Sequence, residues 1–87
     1  MRNRDTIVIY WELLRALAPG PQLPTKLART TNIPYNRLAE YLDFLAAGAL
    51  VKTEPSEGHE RYALTPKGME ALGRLDAGLK LLFPALE

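Results

Sequence analysis

The sequence predicts a mainly α-helical domain with one small β-hairpin, an α+β fold in a single domain over residues 1–87. Three segments repeat apolar residues every three or four positions, which is the period of a helix packed on a core. Two short segments between them alternate apolar and polar residues, as strands do. With 47% hydrophobic residues, the chain can build one small core and is too apolar for general disorder.

The first predicted helix covers residues 3–18, NRDTIVIYWELLRALA. It carries two apolar stripes: one of Ile7, Tyr10, Trp11, Leu14 and Ala18, and a second of Ile9, Leu13 and Leu17. A helix that is apolar over so much of its surface is expected at the centre of the domain. The segment PGPQLP then ends it and favours an extended link, because proline and glycine do not continue a helix.

The segment KLARTT, residues 26–31, is predicted as a short second helix with Thr25 as its N-cap. Asn32 suits a tight turn, since asparagine tolerates the left-handed conformation. A third helix follows, with an apolar face made by Leu38, Tyr41, Leu42 and Leu45. Gly48 is expected to end that helix.

Residues 50–65 then predict two strands joined by a turn at EPSEG, residues 54–58. Thr65 and Pro66 begin a last helix over residues 66–83, with the threonine hydroxyl as cap and the proline at the first helical position. The order helix, link, helix, turn, helix, hairpin, helix is that of a winged helix-turn-helix.

Two stretches of the chain, IPYNRLAEYLDFLAAGALV and RYALTPKGMEAL, resemble the archaeal winged helix-turn-helix DNA-binding family that includes the Sso10a-type proteins. The resemblance implies double-stranded DNA as the ligand, a recognition helix that begins near Tyr35, and dimerisation through the C-terminal helix. The sequence departs from the family in two places. Pro34 stands where a capping serine is common, and the last helix is short, with Gly73 and Gly78 inside it and Pro84 near its end.

Charge is unevenly distributed along the chain. Up to Arg37 there are six basic residues against two acids, whereas the remainder has five basic residues against eight acids. Residues 22–37 contain three basic residues and no acid, a pattern that suits contact with phosphate. The candidate DNA contacts are Lys26, Arg29, Tyr35, Asn36, Arg37, Glu40, Lys52, His59 and Arg61.

Each candidate has a chemical reason and a simpler alternative. Asn36 suits adenine, Arg37 suits guanine or phosphate, and Glu40 can accept from cytosine. Glu40 and Asp43 equally suit the solvated face of an ordinary helix. The Tyr35 phenol can donate to phosphate from the first turn of that helix, but Tyr35 equally suits simple packing. Lys26 and Arg29 suit either phosphate or solubility. On the hairpin, Lys52, His59 and Arg61 can reach the DNA backbone, but Glu54, Glu57 and Glu60 nearly cancel their charge.

Leu72, Leu75, Leu79 and Leu82 recur at the spacing of a coiled-coil seam, so the last helix is a candidate dimerisation element. Packing of the same stripe on the first helix of its own chain would give nearly the same pattern. The first helix has more apolar surface than one small core is expected to bury, and this favours a homodimer.

Several classes of function have little support in the sequence. The chain has no cysteine and a single histidine, so neither a metal site nor a disulfide is expected, and no cofactor is implied. Neither a nucleophile with its base nor a phosphate-binding glycine loop is present, so an enzyme is not expected. The short apolar runs predict no membrane span and a soluble intracellular protein. Together with the predicted DNA binding, this gives a cytoplasmic, nucleoid-associated protein.

The function predicted is binding of double-stranded DNA, either sequence-tolerant or sequence-specific, by a transcriptional regulator or a chromatin-like protein. The alternative is a winged-helix module for protein–protein contact that does not bind DNA. The near-zero net charge and the acids on the third helix favour that alternative.

Overall fold

The computed structural model describes residues 6–82 and contains four helices and a two-stranded antiparallel hairpin within them. The elements are α1 (Thr6–Leu17), α2 (Pro24–Thr31), α3 (Tyr35–Ala47), β1 (Val51–Ser56), β2 (His59–Leu64) and α4 (Pro66–Leu82). This order confirms the predicted winged helix-turn-helix. The predicted start of the first helix at residue 3 and the predicted end of the last helix at Phe83 lie outside the described residues.

Helix α1 is the centre of the core. Its Leu13, Leu14 and Leu17 are at most 1% exposed, and the helix packs against α2, α4 and β2. Both predicted stripes contribute to this burial, since Trp11 of one and Ile9 of the other are buried as well. The doubly apolar pattern therefore reflects a helix with neighbours on several sides.

The link between α1 and α2 pairs with the hairpin. The backbone N–H of Gln22 donates to the Tyr62 carbonyl at 2.9 Å, and the Tyr62 N–H donates back to the Gln22 carbonyl at 2.8 Å. Tyr62 also lies opposite Thr53 in the ladder between β1 and β2. Because its polar backbone groups point to the link, the Thr53–Tyr62 pair is a non-hydrogen-bonded pair of that ladder. The link therefore pairs with the edge of β2 that faces away from β1.

Helix α2 begins earlier than predicted, and Thr25 as its N-cap was wrong. The N-cap is Leu23, whose side chain makes no capping hydrogen bond, and Pro24 occupies the first turn. Proline suits this position because its φ is already helical and it lacks an N–H that would need a partner. At the other end Asn32 has φ 60° and ψ 36°, which confirms the left-handed turn before α3.

The end of α3 follows the prediction in part. Gly48 is the C-cap, but its φ is −87°, and the left-handed position falls on Ala49, with φ 62°. The Thr65 hydroxyl donates to the Ala49 carbonyl at 2.6 Å. This tertiary contact stabilises a conformation that local sequence does not favour for alanine.

The hairpin turn is shorter than the predicted EPSEG segment, so that prediction was wrong. Residues 54–56 belong to β1, and the turn consists of Glu57 and Gly58, with φ 52° and 80°. Two successive positive φ values are those of a type I′ turn, whose twist matches that of the strands. Pro55 is tolerated in β1 because β1 is an edge strand.

Helix α4 begins as predicted. The Gly68 N–H donates to the Thr65 hydroxyl at 3.0 Å, and Pro66 is the first helical residue. Gly68 is buried against the loop before β1, where a Cβ would overlap the carbonyl oxygen of Leu50. That oxygen also accepts a hydrogen bond from the Thr65 N–H at 3.2 Å. The start of α4 therefore touches backbone, and only glycine fits there.

We expect Gly68→Ala to lower the free energy of unfolding by about 1–3 kcal/mol, because the added methyl group must displace backbone. Gly73→Ala is the matched control on the same helix, since a Cβ there has no heavy atom within 4 Å. It should raise the free energy of unfolding by roughly 0.5–1 kcal/mol. Urea unfolding followed by circular dichroism measures both, and equal changes would contradict the close approach at Gly68.

Candidate nucleic-acid interface

The orientation of α3 is determined by its buried side. Leu38, Leu42 and Leu45 are each 1% exposed, which confirms the predicted anchor of this helix in the core. On the opposite side lie three exposed residues, Asn36, Glu40 and Asp43, which we call the outer ridge. Their spacing of four and three positions aligns them along one line of the helix. The predicted base contacts Asn36 and Glu40 are therefore both directed away from the core.

Arg37 lies on a flank of α3 and is held there by its own chain. Its guanidinium donates to the Tyr41 hydroxyl at 3.0 Å and lies 5.9 Å from the centre of that ring. Tyr41 in turn meets Tyr10 of α1 edge to face, with 5.7 Å between ring centroids. Arg37 is thus placed beside the outer ridge, on the side of α1.

Phe44 is a surface residue that the sequence reasoning missed. It stacks on Tyr10 with 4.7 Å between ring centroids, yet 59% of its surface is exposed. Burial raises the pKa of the Tyr10 hydroxyl above its ordinary value, and the nearby Tyr41 raises it further. Its position one helical turn after Glu40 places Phe44 next to the outer ridge.

The other flank of α3 faces the hairpin. A cavity of about 60 Å³ there is lined by Pro24, Tyr35, Leu38, Ala39, Leu42 and Tyr62. Burial raises the pKa of the Tyr62 hydroxyl above its ordinary value, and the charges of Asp43 and Glu60 raise it further. Tyr35 is exposed, as a contact residue in the first turn must be. The sequence reasoning treated Tyr62 only as part of a strand pattern and missed its place between α3 and the hairpin.

The predicted hairpin contacts share one face. The register pairs Lys52 with Ala63, Glu54 with Arg61, and Ser56 with His59, so these side chains point to the same side of the ladder. The buried Val51 is on the other side.

An acid stands between the basic residues of this face. Glu54 forms an ion pair with Lys52, with 3.5 Å between Nζ and Oε2, and lies directly opposite Arg61. On this face Lys52 is therefore paired with the Glu54 carboxylate, while Arg61 across from that carboxylate has no ion pair among the described residues. Glu54 thus offsets part of the positive charge of the hairpin, as the sequence suggested.

Three basic side chains within residues 6–82 have no ion pair, side-chain hydrogen bond or ring contact: Lys26, Arg29 and Arg61. All three are among the predicted DNA contacts. Lys26 and Arg29 are exposed on α2, and residues 22–37 add no acid to their surroundings. The cations that are free to meet an external anion thus lie on α2 and the hairpin.

The four leucines predicted for dimerisation do not share one environment. Leu72 and Leu75 are half-buried against the core of their own chain, and Leu79 is buried. Leu82 is 70% exposed, and the neighbouring Leu81 is 82% exposed. The stripe from Leu72 to Leu79 therefore packs within the chain, which was the alternative reading of the pattern, and the exposed leucines lie at the end of α4.

Two further observations concern other kinds of site. No group of three or more histidine or acidic side chains in the described part of the chain is placed to hold a metal ion. None of the helices between Thr6 and Leu82 is long and apolar enough to cross a membrane.

Comparison with known proteins agrees with this geometry. A family model described as winged helix-turn-helix matches residues 3–82. An uncharacterized protein of Methanocaldococcus jannaschii is 26% identical over 82 residues, which are 94% of this chain and 37% of the relative. The chain thus spans little more than a third of that relative's length.

Solved structures give the same fold. The transcriptional regulator BldR from Sulfolobus solfataricus superposes with a TM-score of 0.84 at 21% identity, over 91% of this chain and 59% of BldR. Sso10a-2, a DNA-binding protein from Sulfolobus solfataricus, gives 0.82 at 20% identity, over 95% and 86% of the two chains. A homodimeric winged helix-turn-helix DNA-binding domain from Mycobacterium bovis gives 0.69 at 21% identity, over 85% and 71%.

Proposed function

The chain belongs to the winged helix-turn-helix family, and from that premise we propose that it binds double-stranded DNA with the first turn of α3 in the major groove. The observation that carries the proposal is the position of the unpaired cations. Lys26 and Arg29 project from the helix before the turn, and Arg61 projects from the hairpin, on the face opposite to the one from which Tyr62 meets α3. A surface with free cations next to an exposed helix is what a phosphate backbone requires.

The dimensions of the groove assign a role to each side of α3. A helix with its side chains is about 10–12 Å wide, and the major groove is about 12 Å wide. The outer ridge would then face base edges, while groups on the flanks of α3 would meet the two sugar-phosphate walls. Asn36 on the ridge is the candidate for adenine, and Arg37 on the flank is the candidate for phosphate.

We propose that the protein is a transcriptional regulator or a chromatin-like protein. BldR is described as a transcriptional regulator and Sso10a-2 as a DNA-binding protein, and both have this fold. The chain spans 59% of BldR, so any activity of the whole regulator is a proposal for this protein. A cytoplasmic, nucleoid-associated location and the absence of an enzymatic role belong to the same proposal.

A second candidate function is contact with another protein through α3. Glu40 and Asp43 make most of the outer ridge acidic, and Phe44 beside it is exposed. A basic partner protein would suit such a surface better than DNA does. The salt dependence of duplex binding separates the two candidates.

We also propose a homodimer, joined through the ends of α1 and α4. A cleft between the two helices is lined by Arg15 of α1, by Ala18 just after α1, and by side chains along α4 from Met69 to Lys80. The half-exposed Ile7 at the start of α1 and the exposed Leu81 and Leu82 at the end of α4 are apolar side chains that a second copy would remove from water. A neighbour of this fold is described as homodimeric, which supports a homodimer.

The proposed DNA binding predicts how duplex affinity depends on salt. If Lys26, Arg29 and Arg61 each neutralise one phosphate, a plot of log affinity against log salt should have a slope of roughly −3 per protomer. Arg29→Ala should flatten that slope by about 0.9, because one fewer counterion is released. Fluorescence anisotropy with a labelled duplex at several salt concentrations measures both slopes.

Arg74→Ala is the matched control, since Arg74 lies on α4 and is already paired with Glu70 at 2.8 Å. Its slope should equal that of the unaltered protein. Affinity that does not depend on salt, or no duplex binding at low salt, would contradict DNA binding and favour the protein-contact candidate.

A further prediction separates base contact from phosphate contact. Asn36→Ala should weaken binding to a preferred duplex by about 1–3 kcal/mol more than binding to random DNA. Lys26→Ala should weaken both by the same amount, because phosphate carries no sequence. Competition binding with the two duplexes gives the ratio, and an unchanged ratio for Asn36→Ala would show that this residue reads no base.

The dimer is tested at the end of α4. Replacing Leu81 and Leu82 together by lysine should give a folded monomer that binds DNA more weakly, since a dimer engages two half-sites at once. Leu79 is unsuitable for this test because it is buried in its own chain. Sedimentation equilibrium at tens of micromolar gives the mass, and a mass of 9.7 kDa for the unaltered protein would rule the dimer out.

A further inference from the structure

The outer ridge of α3 offers hydrogen-bond acceptors and no positive charge. Asn36, Glu40 and Asp43 are all exposed, and the single basic residue of the helix, Arg37, is held on the flank by Tyr41. An ionised carboxylate can only accept hydrogen bonds, whereas an asparagine amide both donates and accepts. The Glu40 and Asp43 carboxylates of the ridge can therefore form hydrogen bonds only with groups that donate them.

Only two bases present a donor in the major groove. Adenine offers its N6 amino group and cytosine its N4 amino group, while guanine and thymine present carbonyl oxygens at the corresponding positions. A carboxylate that loses water in the groove and faces a carbonyl has no donor to replace that water. Glu40 is thus compatible with an amino base and unfavourable opposite a keto base.

We infer that Glu40 selects adenine or cytosine at the position next to the base that Asn36 reads, and so makes binding sequence-specific. The spacing follows from the docking of helices in the major groove, where residues three or four positions apart contact successive bases, as they do in zinc-finger helices. The inference rests on the proposed DNA binding, and it decides between the sequence-specific and the sequence-tolerant form of that function.

The charge of Glu40 has a second consequence. A carboxylate in the groove is repelled by the phosphates on both walls, whatever the sequence. At a matching site the amino group lies on the base that Glu40 faces and offsets this repulsion, while at other sites the amino group of the pair lies on the opposite strand. Glu40 therefore lowers the affinity for random DNA, which widens the difference between right and wrong sites.

The test begins with selection of preferred duplexes from a random-sequence library by the unaltered protein. Enriched sites should carry adenine or cytosine at one position next to a required adenine. The amino group at that position is then removed alone, with purine in place of adenine or pyrimidin-2-one in place of cytosine. The unaltered protein should lose roughly tenfold to a hundredfold in affinity for the modified duplex.

The same two duplexes are measured with Glu40→Ala. This variant should lose no more than about twofold between them, because it lacks the group that accepts from the amino base. Any general effect of the modified base on the duplex affects both proteins equally and cancels from this comparison.

Glu40→Gln and Glu57→Gln form a charge-matched pair. Glu57 is exposed in the hairpin turn, and each change removes one negative charge. Glu40→Gln should raise the affinity for random DNA severalfold and reduce the ratio between preferred and random duplexes. Glu57→Gln should leave that ratio unchanged, because its charge does not face a base edge.

The outcomes separate the inference from the function beneath it. If Glu40→Ala and the unaltered protein respond equally to loss of the amino group, or if selection enriches no sequence, the selector role is overturned while DNA binding stands. If no duplex binds at low salt, DNA binding itself is overturned, and the selector role with it.

Discussion

Burial of one side of α3 determines what the rest of its surface can do. Leu38, Leu42 and Leu45 are almost completely removed from water, and each contributes roughly 1.5–3 kcal/mol of hydrophobic stabilisation. Turning the helix by one residue position, about 100°, would expose these leucines and press charged side chains such as Asp43 toward the core. The helix therefore has one stable rotation, and in that rotation Asn36 faces outward at its first turn.

The link ahead of α2 gives the hairpin a comparable constraint. Tyr62 exchanges two backbone hydrogen bonds with Gln22, and its side chain lines a small cavity together with Tyr35 and Pro24. One residue thus joins the hairpin to the start of both helices of the helix-turn-helix. Because backbone hydrogen bonds are directional, the position of the hairpin relative to the link before α2 does not depend on exposed side chains. Such rigidity favours binding of a duplex, because a surface that is already ordered loses less conformational entropy when it binds.

The parts of the fold that depend on local chemistry were predictable from the sequence, and the parts that depend on distant contacts were not. The left-handed Asn32 and the capping Thr65 follow from the preferences of those residue types. The left-handed position falls on Ala49, where the Leu50 N–H donates to the Leu45 carbonyl at 2.9 Å and the Thr65 hydroxyl, sixteen positions away, donates to the Ala49 carbonyl. The need for glycine at position 68 arises where α4 meets the carbonyl of Leu50, and no nearby residue signals it. The hairpin turn is an intermediate case, because both EPSEG and its last pair of residues suit a turn, and only the strand register distinguishes them.

The same distinction applies to the candidate interface and explains why a net charge of +1 says little about it. Residue types alone identified the cations, but whether each cation is free depends on its neighbours in space. Lys52 would have to leave a carboxylate to meet a phosphate, an exchange of one charged partner for another. Arg37 would leave only a neutral hydroxyl, and hydrogen bonds to charged groups are roughly twice as strong as neutral ones. Lys26 and Arg29 have no partner to leave. Attraction to a phosphate backbone is therefore strongest for Lys26 and Arg29 on α2, weaker for Arg37 on the flank of α3, and weakest for Lys52 on the hairpin. The formal charge of the chain does not reveal this order, because it counts each of these cations equally.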